Sequence, residues 1–508
     1  MTNQHPPQLS KSRYMAGLQC LKRLYLEIHD RNLADPVDPS QQAIFDVGNL
    51  VGELARERFA GGTLIEAAYY EQEKAESTTR KQLSNAFVPA LYEAAFTFEG
   101  IRTRVDILAR ADAGQGFDLI EVKSTASYKE REHLPDVAIQ LHVVEGSGVP
   151  IRRAYLMHID TSYVYEGGEH DLTRLFALED VTDMARDYLA DVAPGKLAEM
   201  WESLGQSVTL DIETGRHCKS PYQCPFYGHC HTDEPEHPVG ELPRLPGWEE
   251  DRLKALGIRD IQSIPPDATG LSHVQWRVRD SVISGKPYVG SELTERLSSI
   301  EFPASFLDFE AIAPAVPIFV GTRPYQHIPF QWSLHLLDSD GSLSHRDYLH
   351  DGDDDPRQGF ITSLLEAVPA NGSIVAYSGY EERILRQLAD EFPQYEAQLI
   401  ALTERLVDLL QIVRDCYYHP EFHGSFSIKA VVPVLAPQLS YDELDIPEGR
   451  AASAAYQRLL TDDVPPAQAT KIRQSLLTYC GQDTEAMLRV YQALKKEIAT
   501  VHPEPVEG

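Results

Sequence analysis

Between residues 231 and about 298 the chain changes character. Mixed helical and strand-like patterns on either side give way there to Pro, Glu and Gly with short apolar helical runs, among them LPGWEEDRLKALGIRDIQSIP. A break of that kind divides 508 residues into blocks that can each bury a core, where one ordinary core would be oversized. The expected organisation is an N-terminal domain over 1–235, a short helical connector over 236–298, a C-terminal domain over 299–498 and a disordered Pro- and Glu-rich tail over 499–508. No apolar run approaches the roughly 20 residues that cross a bilayer, and the start MTNQHPPQLSKSR lacks the apolar core of a secretion signal. A cytoplasmic location with no membrane partner is therefore expected. The formal charge of −31, from 46 Lys+Arg against 77 Asp+Glu, argues against binding along duplex phosphates by net charge alone. It leaves room for a local basic groove.

In the first block, helical patterns at 18–28 and 45–59 precede strand-like stretches at 96–109 and 117–123, then a helix at 134–144 and a strand at 153–159. Asp106 lies in RTRVDILAR, and Glu121 and Lys123 lie in DLIEVKST, about 15 residues on, which is hairpin spacing. Residues two apart on a strand share a face, so one acid from each strand and the lysine can converge. Two carboxylates hold Mg²⁺ or Mn²⁺ through hard oxygens, the metal activates water, and a lysine orients that water or steadies the charge at phosphorus. The bland alternative is an ordinary solvated strand, on which acid-x-lysine is common. Gln140 falls on the following helix, and Asn49 and Glu53 sit one turn apart on an earlier one.

Six cysteines in a cytoplasmic chain are read as ligands, reactive thiols or core residues before disulfides. Cys218, Cys224 and Cys230 form a C-x5-C-x5-C run, Cys20 stands alone near the N-terminus, and Cys416 and Cys480 are scattered and read as core. The order of helix, Asp strand, ExK strand, Gln helix and late cysteines resembles the RecB-type PD-(D/E)XK nucleases, including the CRISPR-associated iron–sulfur members. The resemblance implies a restriction-endonuclease-like fold, catalytic roles for Asp106, Glu121, Lys123 and Gln140, and a [4Fe–4S] cluster on Cys20, Cys218, Cys224 and Cys230. Iron–sulfur clusters tolerate loose spacing; a closed zinc site of four thiolates is the alternative, for which the run lacks the usual C-x2-C pairs, and uncoordinated thiols are the third reading. Two positions depart from the family's pattern. Asn49 stands where many relatives place a metal-binding His, and Val144 where they place a Tyr, which weakens the metal affinity expected of this site.

In the last block, ASFLDFEAI puts Asp308 and Glu310 on one face of an apolar strand. Further acids follow at Glu381 in AYSGYEERIL, Asp408 in LVDLLQIVR, and Asp483, four residues after Tyr479 and so on its helical face. The span of about 175 residues suits one domain. A second DxE, Asp211 and Glu213 in VTLDIETG, is read as a decoy, because starting there would enclose the cysteine run and the Pro-rich stretch. The set resembles the tyrosine type of DEDD exonucleases in the DnaQ-like family. It implies an RNase-H-like α/β fold, a two-metal Mg²⁺ or Mn²⁺ site, and a tyrosine hydroxyl that positions the attacking water. Glutamate at 381 replaces the usual aspartate within a shortened motif, and Asp408 is the candidate to supply a missing ligand. Ser427 and Lys429, before an apolar helix, are candidate substrate contacts, while His419 and His423 are read as loop or substrate-side residues.

The connector's LKALGIRDIQSIP reads equally as a helix–hairpin–helix that grips phosphates through backbone amides or as a spacer, and Trp248 and Trp276 as stacking platforms or core. The functional expectation is a metal-dependent nuclease acting on single-stranded or end-exposed DNA or RNA. The rivals are a chain with one working site, a nucleic-acid-binding protein with inactive nuclease folds, and a redox sensor built on the cysteines.

Overall fold

A computed structural model describes residues 8–36, 39–111, 115–441, 444–446, 448–461 and 464–501. The chain is mixed α/β with several sheets. It divides into two compact units, 1–233 with 314–326, and 234–313 with 327–508. No helix among the described residues is long and apolar enough to cross a membrane. The tail from 502 onward, expected to be disordered, lies outside the described residues; the last helix, Pro466–Val501, covers 499–501.

The first unit is built on a seven-stranded sheet. Its strands are β1 (Leu9–Ser10), β2 (Thr63–Leu64), β3 (Ala90–Phe98), β4 (Ile101–Arg110), β5 (Phe117–Lys123), β6 (Ile151–Ile159) and β7 (Phe176–Asp180). The order is β2-β3-β4-β5-β6-β7, with β1 also on β4. β3, β4 and β5 run antiparallel in succession, and β6 lies parallel to β5. That parallel step requires a crossover, supplied by the helix Glu130–Gly146, buried almost all round from His133 to Val144. The sequence reading placed one strand over 96–109, but the chain turns at Glu99 (φ 47°) and Gly100 (φ 76°) to make the β3–β4 hairpin. Two left-handed residues give the turn that matches strand twist, and glutamate at the first of them masks the signal. The helix expected over 18–28 is likewise two helices, Lys11–Gln19 and Leu21–His29, broken at Cys20, whose backbone is extended (φ −164°, ψ 122°).

Beyond a short strand, β8 (Tyr288–Val289), the second unit carries a five-stranded sheet in the order β11-β10-β9-β12-β13, where β9 is Ala304–Ile312, β10 Ile328–Leu337, β11 Leu343–Leu349, β12 Ile374–Ala376 and β13 Leu406–Asp408. The first three pair antiparallel; β12 is parallel to β9, and β13 to β12. Gln331 and Ser333 of β10 pin the helix Pro466–Val501 to the sheet, Gln331 donating to the carbonyl of Leu476 (2.8 Å) and Ser333 sharing a hydrogen bond with Thr484 (2.8 Å). The stretch expected to be a connector packs into the same core as β9 and this helix, through Val239, Leu253, Ile261, Val282 and Leu297 among others. Its helix Gly247–Ala255 ends at Gly257 (φ 79°), but only a 3-10 turn, Ile261–Ser263, follows before the helix His273–Ser284. A helix–hairpin–helix needs a full second helix at that point. Trp248 is exposed, and the guanidinium of Arg279 lies 5.1 Å from the Trp276 ring.

Candidate functional sites

In the second unit, alternation along β9 brings Asp308 and Glu310 to one face. The pinned helix Pro466–Val501 sets Asp483 against them, so that one carboxylate oxygen from each of the three lies within 4.8 Å of the others. Glu381 follows β12 in the first turn of the helix Tyr380–Glu391; it is 3% exposed, and its Oε2 has no hydrogen-bond partner among the described residues. Burial, reinforced by the neighbouring acids, holds the carboxyls of Asp308 and Glu310 well above the usual carboxylate range. Burial and the charge of Asp408 push Glu381 up to about 8. Asp483 is also raised by burial, but only to about 6, because hydroxyls of Tyr441 and Tyr479 and the charge of Lys429 stabilise its anion. The Tyr441 hydroxyl donates to Asp483 Oδ1 at 2.6 Å. Such a cluster favours either a shared proton or a cation.

The other expected residues of this unit are placed unequally. Lys429 lies over the rings of both Tyr441 (5.6 Å) and Tyr479 (5.9 Å), which brings its charge to the acids. Ser427 is exposed at the start of the helix Ile428–Leu435 and lies 3.1 Å from the Ser425 hydroxyl. Asp408 stands in register with Ala376 and accepts from the backbone of Gln411 (3.1 Å), so it caps the helix Leu409–Cys416 and is not one of the converging three. Cys416 and Cys480 are buried as expected, and the Cys480 thiol lies 3.4 Å from Asp308 Oδ2.

In the first unit, Asp106 of β4 and Glu121 of β5 meet across the hairpin, with the backbone of Val122 donating to Asp106 Oδ2 at 2.8 Å. Glu121, 1% exposed, accepts from Lys123 (2.6 Å) and Lys11 (2.8 Å) at Oε1 and from Gln140 (2.7 Å) at Oε2. Lys123 also reaches Asp136 (2.5 Å). Burial alone would raise Glu121, but the two lysines outweigh it and hold its carboxyl well below the usual range. Asp106 is pushed up to about 8 by burial and by the charge of Glu121, which the charges of Lys11 and Lys123 only partly offset. Asn49 and Glu53, on the helix Pro39–Glu57, line a cavity with Asp106 and Glu93.

Cys20, Cys218, Cys224 and Cys230 line one pocket of the first unit, brought together from the helix break and the late loops. Glu213 of the decoy DxE lines it too, in a stretch without strand structure. The four sulfurs are not among the groups of ligand atoms that converge within 4.8 Å. Burial raises the thiols of Cys224 and Cys230. It acts on Cys20 as well, but hydrogen bonding to His217 and to the backbone of Arg23 and Lys22 brings that thiol below its usual value, as suits a cysteine at the N-terminus of a helix.

Several residues of these sites escaped the sequence reading. Asp136 carried a signal, standing one helical turn before Gln140 on the same face. Lys11 and Tyr441 carried none, since neither has a spacing relation to the acids it touches. Glu93, paired with Arg56 at 3.1 Å, sits at φ 56° where the β3–β4 register steps past it, and nothing in its composition foretells a left-handed glutamate inside a strand.

Residues 305–427 match the model of a family described as Domain of unknown function (DUF2779). No curated protein matches the chain.

Proposed function

We propose that this protein is a metal-dependent nuclease whose principal site is the acid group of the second unit. The observation that carries the reading is charge balance: Asp308, Glu310, Glu381 and Asp483 gather like charges in a buried site where, among the described residues, Lys429 is the cation whose charge reaches Glu310 and Asp483. Oxygen-only donors fit a hard divalent cation such as Mg²⁺ or Mn²⁺. Asp308, Glu310 and Asp483 would hold it, and Glu381, outside that converging group, would act beside it through its buried Oε2. Such cations supply an activated water and neutralise the leaving oxygen. The Tyr479 hydroxyl would orient that water, Tyr441 favours the Asp483 anion through its hydrogen bond, and Lys429 would offer a positive charge to a phosphate. The strand order with β10 reversed, and the final helix delivering Tyr479 and Asp483 to β9, support an RNase-H-like, DnaQ-type assignment.

In the first unit the succession of a helix, three antiparallel strands, a crossover helix and a parallel strand supports a RecB-like, restriction-endonuclease-type assignment. Its charges are differently disposed. Lys11 and Lys123 already engage Glu121 and Asp136, which favours a substrate-holding or secondary role for this site. The pocket that the four cysteines line would hold a [4Fe–4S] cluster, whose tolerance of loose ligand spacing suits the C-x5-C-x5-C run, with a closed zinc site as the alternative.

The test is cleavage of end-labelled single-stranded DNA and RNA by anaerobically purified protein, with Mn²⁺ or with chelator, beside Asp308→Ala and Asp106→Ala. Loss of metal-dependent cleavage in Asp308→Ala is expected, with a smaller effect of Asp106→Ala. Intact protein that binds but cleaves neither strand would establish the binding-protein alternative instead.

A further inference from the structure

Away from the acid group, the second unit gathers two imidazoles and a carboxylate. His237 and Glu241 are four residues apart across the 3-10 turn Val239–Glu241, and His423 follows a second such turn, Pro420–Phe422. One ligand atom from each lies within 4.8 Å of the other two. We propose that His237, Glu241 and His423 bind a divalent transition-metal ion of the zinc class, with a fourth position open to water.

Three observations carry this. The first is spacing. His237 Nδ1 stands 3.6 Å from Glu241 Oε2, and His423 Nδ1 stands 3.4 Å from Glu241 Oε1. A charge-assisted imidazolium–carboxylate hydrogen bond closes to about 2.7–2.9 Å. Two ligands at about 2.0–2.1 Å from one tetrahedral ion stand about 3.4 Å apart, which is close to what both imidazoles show. The second is unmet demand. His237 is 7% exposed, and its Nδ1 and the Oε2 of Glu241 are buried without a hydrogen-bond partner among the described residues and stop 3.6 Å short of each other, so a ligand bound to both would satisfy them. The third is the backbone that delivers His423. It sits at φ 47°, a left-handed conformation that a residue with a Cβ adopts only under strain. The next residue, Gly424 (φ 72°), packs so closely that a Cβ there would overlap the carbonyl oxygen of Glu241. The loop is thus pressed onto the 237–241 turn, with the two imidazoles stacked at 5.2 Å.

Donor chemistry separates this site from the acid group. Imidazole nitrogens favour zinc, copper, nickel and iron, whereas all-oxygen sites favour magnesium and manganese. The His423 side chain is 47% exposed, so one side of the ion faces solvent. The site would clip the 419–424 loop to the turn that opens the unit.

Cobalt(II) serves as the probe, titrated into metal-free full-length protein. Expected is one equivalent giving visible d–d absorption without sulfur-to-metal charge transfer, which sets it apart from cobalt at the cysteines. In His423→Gln and Glu241→Gln that equivalent weakens by more than the roughly 10–100-fold that loss of an outer-shell partner costs. Zinc should raise the melting temperature of the wild type and not that of His423→Gln, while the two melt alike without metal, which shows that the variant folds. Unchanged cobalt stoichiometry and spectrum in both variants, or a wild type with no sulfur-free cobalt equivalent, would overturn the proposal.

Discussion

Replacing Glu381 by Gln should make the metal-free protein more stable at alkaline pH while removing a residue of the proposed active site. Glu381 is 3% exposed, and burial holds its carboxyl at about 8 where the ordinary value is 4.5. Between those values the native state keeps a proton that the unfolded chain releases. The native state therefore binds more protons, and stability falls as pH rises, by up to about 1.4 kcal/mol per unit. This contribution is fully present below pH 4.5 and is lost as pH climbs to about 8, a total of about 5 kcal/mol. Glutamine has the same shape, carries no charge and does not titrate. Urea unfolding in chelator at pH 5.5 and pH 8 measures the effect, with fluorescence of Trp332, buried on β10 of the same sheet, reporting the second unit. Over that interval the wild type should lose about 3 kcal/mol more than Glu381→Gln; titrating groups away from the acid cluster are common to both proteins and cancel, while Asp308 and Glu310, which Glu381 helps to raise, shift down in the variant. Added Mn²⁺ should restore the wild type at pH 8 and help the variant less. Identical pH slopes in the two proteins would refute the claim that this carboxyl is held protonated by burial among other acids.

Three further outcomes follow from the same geometry. Lys11→Met leaves buried Glu121 and Asp136 with only Lys123 as a cation, and should cost roughly 3 kcal/mol in unfolding followed at Trp201, with Glu121→Gln restoring part of it; additive effects of the two changes would contradict the pairing. Tyr441→Phe removes the 2.6 Å hydrogen bond to Asp483, worth roughly 1.5–3 kcal/mol when the acceptor is charged. The Asp483 carboxyl should then titrate above its present value of about 6, and the acid limb of the metal-dependent rate should move up by roughly 1–2 units; an unmoved limb counts against Asp483 as the group that must be ionised. Cys224→Ser should bleach the visible absorbance of anaerobically purified protein, whereas an intact spectrum would exclude Cys224 as a cluster ligand.

What the sequence disclosed and what it hid divide along a physical line. Asp308 and Glu310 were legible because a strand puts residues two apart on one face, and Tyr479 with Asp483 because a helix does so at four. Glu121 with Lys123 came from the same rule, and the four cysteines from their shared chemistry. In each case the relation is local or one of residue type, so it survives in the linear order. The β3–β4 turn was hidden because glutamate occupies a left-handed position that Asn or Gly would have announced. The connector was hidden for another reason. Its apolar residues are sparse and spread over short helices, and only packing against β9 and the last helix shows that they belong to that core. Lys11 reaches Glu121 across 110 positions, and His423 reaches Glu241 over a longer span. No periodicity connects such pairs, so only the fold displays them.

The two carboxylate sites start from similar ingredients, and the cations beside them set them apart. At Glu121, two lysines and the Gln140 amide meet the carboxylate almost completely, and its pKa is depressed accordingly. At Asp308 and Glu310 burial and like charges act together, and both are raised. A divalent ion entering the first site must compete with Lys11 and Lys123 and displace a proton from Asp106, while one entering the second replaces protons on several acids and relieves repulsion. Metal affinity should therefore rise more steeply with pH at the second site, because protons must leave before the ion binds. Isothermal titration with Mn²⁺ at two pH values, in Asp106→Asn and Asp308→Asn proteins, separates the two. Equal proton release on binding in both proteins would mean that the lysines do not govern the first site, and that its carboxylates serve a metal as freely as those of the second.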